Sequence, residues 1–192
     1  MNTAISALRN TSSAWGLAAK LFHWLSAVLI LVLVGYGWWM THLAERAGRL
    51  THYQLHSVIG WYVLLLIALR LLWRAFNPAP PLPAELPRWE RATAYTAHWT
   101  LYALMFVVSI SGWMVADTFR QPIEAALFGL IPVPHLVDAS YRPHRAAIEA
   151  THLILSYVLL ALAAVHIAAA LRHHWFKKND VLRRMGWGHL TS

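Results

Sequence analysis

Four histidines stand inside apolar runs: His23 in LFHWLSA, His56 in LHSVIGWYVLLLIALRLLWR, and His152 and His166, fourteen positions apart, in HLILSYVLLALAAVHIAAALRHHWF. An ionisable side chain in hydrocarbon costs at least about 2.5 kcal/mol, so its presence there asks for a function. Fourteen residues at about 100° each fall within about 40° of whole turns and rise about 21 Å, so one face of one helix can serve two layers. Two imidazoles facing each other at one depth can coordinate one metal from opposite sides. A haem iron is the metal whose porphyrin leaves just two axial positions open. Zinc fits worse, because each layer offers two nitrogens where zinc takes three or four ligands.

The elements that must position these histidines follow from composition. The 192 residues are 58% hydrophobic and 12% charged, and the apolar residues come in long blocks rather than in the short alternations of a soluble core. Four blocks reach the roughly 20 residues that cross a bilayer core: Leu21 to Met40, Leu55 to Trp73, Tyr95 to Ala116 and Ile148 to Leu171. All nine prolines fall outside them, where a missing backbone donor does no harm. The expectation is an all-α integral membrane four-helix bundle, one domain over 1–192. Its helices are placed at about 20–40, 52–75, 92–116 and 147–172, with a loop at 117–146 and a tail at 173–192.

The net charge of +8 is read as topology rather than as nucleic-acid binding. Eleven Lys and Arg flank the side that carries both termini and five, including Arg46, flank the other. The positive-inside rule then puts both termini in the cytoplasm of a bacterial inner membrane, the loop in the periplasm and the tail in the cytoplasm. Many of the eleven Trp fall near span ends, where amphipathic rings favour the interface. The first apolar run is of full length and lacks a clear small-residue cleavage site, so it reads as a retained anchor. The absence of cysteine removes disulfides, iron–sulfur ligation and thioether attachment of haem.

Depth pairs the histidines. His23 and His166 lie near the cytoplasmic ends of the first and fourth helices, and His56 and His152 near the periplasmic ends of the second and fourth. Four residues on from each stands a small residue on the same helix face: Ala27, Gly60, Ser156 and Ala170. A bulky side chain there would compete with a macrocycle. His98 is instead followed by Tyr102, which argues against its being a ligand.

The four apolar segments, with AHWTLYALMFVVSISGW as the third, resemble the bacterial cytochrome b561 family, which sits with the di-haem membrane cytochromes of hydrogenases and formate dehydrogenases. The likeness runs from about Lys20 to Met185 and includes the tail KKNDVLRRM. It implies two non-covalent haem b groups with bis-histidine ligation by His23, His56, His152 and His166. With both axial positions filled by protein, one-electron transfer is the expected work. The family implies ubiquinone as electron partner, and one member resembles a superoxide oxidase feeding quinone. Others are quinone-linked anchors of a periplasmic dehydrogenase or hydrogenase. A non-redox histidine-containing transporter is the other class. It would be expected to show broken helices around a midplane site, and the histidines here form two layers instead.

Further candidates are charged or polar groups near the cytoplasmic layer. Arg70 and Arg74, one turn apart, are read as partners of haem propionates or quinone. His98, in the family's AH motif, is read as a donor to a propionate or a quinone carbonyl, and His173 and His174 as donors to the same pocket or as headgroup contacts. The loop holding EAALFGLIPVPHL is read as an interfacial cover over the outer haem. Its Arg142, His144 and Arg145 would steer an anionic periplasmic reductant, with Asp138 and Glu149 blunting the field. Membrane lipid and a periplasmic reductant or partner protein complete the expected partners.

Overall fold

A computed structural model describes residues 7–42, 48–83, 85–120 and 123–186. Arg46, counted in the charge bias, lies outside them, as do the last six residues of the expected tail. Four long helices run in chain order: α1 Leu17–His42, α2 Arg49–Phe76, α3 Arg88–Asp117 and α4 Arg145–Trp175. All four are long and apolar enough to cross a membrane. Each extends the expected span by one to four residues at either end, because the polar first and last turns of a membrane helix carry no hydropathy signal. Glycine and proline set several ends. Gly48, at φ +88, precedes α2, a conformation open to glycine without steric cost. Asn77 and Pro78 stop α2, and Pro87 precedes the first turn of α3.

Hydroxyls inside the spans bond to their own helix. Ser26 donates to the Phe22 carbonyl at 2.6 Å, Ser109 to Met105 at 2.9 Å, Ser111 to Val108 at 2.8 Å and Ser156 to His152 at 2.7 Å. That is what polar groups do where water is absent. Large apolar side chains such as Leu21, Leu25, Val28 and Val32 of α1 point outward, as lipid-facing residues must.

α1 packs on α2, α2 on α3 and α3 on α4, while α4 meets α1 at a few residues only. The core is a midlevel cluster of Leu33, Val63, Ile67, Tyr102, Met105 and Leu159. It lies between the two histidine layers. Leu159 is the fully buried residue of α4, and the two histidines of this helix stand above and below it, turned toward the other helices.

The segment between α3 and α4 departs from a plain interfacial cover. It forms a two-residue antiparallel ladder, β1 Ala126–Leu127 with β2 Ile131–Pro132, and then a 3-10 helix over Ala139–His144. Tyr62 accepts from the Phe128 amide, Trp113 donates to the Pro134 carbonyl, and the buried Asp117 carboxylate accepts from the Leu136 and Val137 amides. Phe128, Leu130 and Ile131 at the hairpin are exposed. Beyond Trp175, the chain turns back through a short helix, α5 Val181–Met185.

Candidate redox site between the helices

At the end of the bundle that holds this hairpin, the loop end, His56 of α2 faces His152 of α4 with ring centroids 6.3 Å apart. At the other end, the terminal end, His23 of α1 faces His166 of α4, also at 6.3 Å. A metal–imidazole bond of about 2 Å, plus about 1 Å from nitrogen to ring centre on each side, separates two such rings by about 6 Å across one metal. Both pairings expected from depth are therefore present, at the spacing that a shared metal needs. Among the described residues no three His, Asp or Glu converge to hold a metal ion.

The loop-end layer encloses a cavity of about 280 Å³ lined by His56, His152, Gly37, Gly60, Gly112 and Ser156 among others. Two glycines bring their backbones against the rings. A Cβ on Gly37 would stand 3.2 Å from His56 Cε1, and one on Gly112 would stand 2.9 Å from His152 Cε1. His152 Nδ1 lies 3.1 Å from the Val108 carbonyl and 3.0 Å from Ser111 Oγ. A ring nitrogen facing a carbonyl carries the proton, which leaves Nε2 as the free donor for a metal. His56 Nδ1 is buried without a hydrogen-bond partner. Tyr36 stacks on the His56 ring at 6.3 Å and shares a 2.8 Å hydrogen bond with His52 Nδ1. A buried orphan nitrogen, a facing imidazole, close-approach glycines and an apolar cavity fit a flat iron-porphyrin group.

At the terminal end, Arg70 donates through Nη2 to His23 Nδ1 at 2.8 Å and through Nη1 to Ser26 Oγ at 2.9 Å. Its guanidinium lies 5.1 Å over the Tyr102 ring, and that of Arg74 lies 5.5 Å over Trp99. Both arginines thus join the layer instead of projecting from it. The His98 ring stands 5.1 Å from the His166 ring, so the residue that Tyr102 argued against as a ligand is still part of the site.

Other candidates are placed differently. His173 faces Glu90 at 3.8 Å and shares a 2.9 Å hydrogen bond with Asn179, so it serves the tail. His174 lies near Trp175, with ring centres 6.5 Å apart. Arg145 pairs with Glu149 at 3.5 Å and lies 3.7 Å over the Phe119 ring, which leaves Arg142 and His144 as exposed groups of that cluster. The expected cover is corrected in one respect. Among the described residues of the α3–α4 segment, Phe119 is the one that lines the cavity, while Phe128, Pro134, Leu136 and Val137 are fastened to Tyr62, Trp113 and Asp117 at the bundle rim. Tyr36, His52, Ser26, Ser111, Gly37 and Gly112 were not singled out by sequence. Only Gly37 and Gly112 left a signal, as glycines inside apolar helical runs.

Four membrane helices carrying two inward-facing histidine pairs define a membrane cytochrome of the b type. The chain belongs to the prokaryotic cytochrome b561 family, whose profile matches residues 14–188. It is 35% identical over 179 residues to "Cytochrome b561 homolog 2" of Escherichia coli (strain K12), covering 92% of this chain and 93% of that protein. It is also 30% identical over 168 residues to "Probable superoxide oxidase CybB" of Yersinia pestis, covering 85% and 90% respectively. Membrane electron transfer by haem b is the function this membership carries.

Proposed function

We propose that the protein is a two-haem electron carrier linked to the quinone pool, with both termini in the cytoplasm. His23 and His166 hold one haem b at the terminal end, and His56 and His152 hold a second at the loop end. The observation that carries this reading is the equal 6.3 Å spacing of the two pairs. Haem b supplies a one-electron iron couple. The protein's part would be to supply two histidine ligands to each haem and to hold the two ligand layers in register along α4.

Arg70, Arg74 and His98 gather donors at the terminal end, where they suit propionates and a quinone carbonyl. A relative named as a probable superoxide oxidase supports superoxide as the periplasmic reductant. Two superoxide ions then give two electrons to ubiquinone, which takes two protons to become ubiquinol, and two dioxygen molecules leave. A second reading, anchor to a partner enzyme, is favoured by the exposed Phe128, Leu130 and Ile131 of the hairpin.

The purified protein should carry about two haems per chain, released by acidified acetone, with the sharp reduced bands of six-coordinate b-type iron. His56→Ala and His152→Ala should lose one haem, and His23→Ala and His166→Ala the other. A colourless folded protein defeats the proposal. Rapid mixing with superoxide then separates the readings, since an enzyme acting alone is reduced by it directly and an anchor that takes its electrons from a partner enzyme is not.

A further inference from the structure

We propose that Arg70 gives the terminal-end haem the higher reduction potential, so that electrons run from the loop-end layer to the terminal-end layer; this rests on the two-haem reading above. The two layers share a 6.3 Å histidine spacing and differ in what stands behind their ligands.

Behind His152 stand acceptors: the Val108 carbonyl at 3.1 Å and Ser111 Oγ at 3.0 Å. A ligand imidazole that gives its second proton to a carbonyl is more basic, pushes more electron density to iron and favours the oxidised state. Among the described residues lining the loop-end cavity, Glu149 is the single Asp, Glu, Lys or Arg, and it is paired with Arg145 at 3.5 Å, so this layer has no unpaired cation to set against Arg70.

Behind His23 stands a permanent cation. Arg70 has no acceptor to offer and keeps its charge in any surroundings. No carboxylate of the described residues forms an ion pair with it or with Arg74. The guanidinium does not depend on His23 for its position. Ser26, which has no exposed surface, takes one bond at 2.9 Å, and the Tyr102 ring lies beneath at 5.1 Å. With Nε2 of His23 on the metal and a proton on Nδ1, Ser26 and Tyr102 keep the charge in the same layer. A cation held this close in a poorly screened medium favours the iron state of lower charge, which is the reduced one. Arg74 adds a second charge of the same sign one turn away. Potentials that rise from one layer to the next set a direction for electrons entering at the loop end.

The test is spectroscopic redox titration of the haem-loaded protein in the wild type and in Arg70→Gln, Arg70→Lys, His23→Ala and His166→Ala. The wild type should show two waves whose reduction constants differ at least tenfold, which is about 59 mV for one electron. The higher wave should be absent from His23→Ala and His166→Ala. Arg70→Gln should lower that wave at least tenfold and leave the other in place, while Arg70→Lys should keep most of it. A higher wave that survives loss of His23 overturns the proposal, as does an Arg70→Gln titration that matches the wild type or moves only the lower wave. Should Arg70→Gln fail to load haem, the order of the wild-type waves against the two histidine variants still decides. A wild type with fewer than two haems overturns the two-haem reading itself.

Discussion

Gly112 is where the loop-end layer is tightest, since any Cβ there meets the His152 ring at 2.9 Å. Gly112→Ala should cost about tenfold or more in haem affinity at that layer, the scale of a disturbed ligand support. Gly35→Ala, where a Cβ meets nothing within 4 Å, should gain helix propensity and keep both haems. Haem content per chain checks both. At the rim, the bond of His135 to Asp117 at 2.8 Å raises the His135 pKa above its ordinary value, with the Asp117 and Glu124 charges adding to it. A raised folded-state pKa makes the contribution complete below the unfolded value near 6.5 and loses it as pH rises through the folded value. Amide exchange at Leu136 and Val137, corrected for intrinsic rate, should therefore quicken with rising pH across that window, and Asp117→Asn should abolish the dependence. The four histidines were legible because an ionisable group in an apolar run is conspicuous. Ser111, Tyr36 and the Asp117–His135 contact were not, because their partners lie on other segments and hydroxyls are common in membrane helices.

The helices themselves were the most legible elements, since length and hydropathy fix them. Their end turns and the β1–β2 ladder were not, the first for want of an apolar signal and the second because two-residue strands leave no period to detect. The tail was legible as basic sequence, yet its folding back was not. Glu90 of α3 is buried and meets Lys177, Arg172 and His173. Lys20 of α1 donates to the Gly186 carbonyl at 2.7 Å, Trp24 to Met185 at 3.1 Å, and Arg184 to Pro81 at 2.9 Å. Glu90→Gln should loosen this clasp, and limited trypsin digestion should cut at Lys177 or Lys178 several-fold faster than in the wild type. At midlevel, Ile67 has no exposed surface and holds α2 between the histidine layers. Ile67→Ala should cost about 2–5 kcal/mol, read as a lowered melting temperature with both layers affected together.

For the whole molecule, the orientation proposed from charge bias, with both ends of the chain in the cytoplasm, is open to a direct test. A C-terminal fusion to a reporter that works only in the cytoplasm should be active, whereas one inserted at the exposed hairpin should not. Fold class and histidine pairing were legible at this scale, because antiparallel spans fix depth. The order of neighbours was not, since depth says nothing about which helix stands beside which. That order has a consequence of its own. α1, α2 and α3 form a closed row, while α4 is joined firmly along the α3 side and barely touches α1. The seam between α1 and α4 opens sideways, toward the acyl chains rather than toward either aqueous phase. A flat, greasy molecule already dissolved in the bilayer would meet the thinnest packing of the bundle at that seam, edge first, without crossing either surface of the membrane.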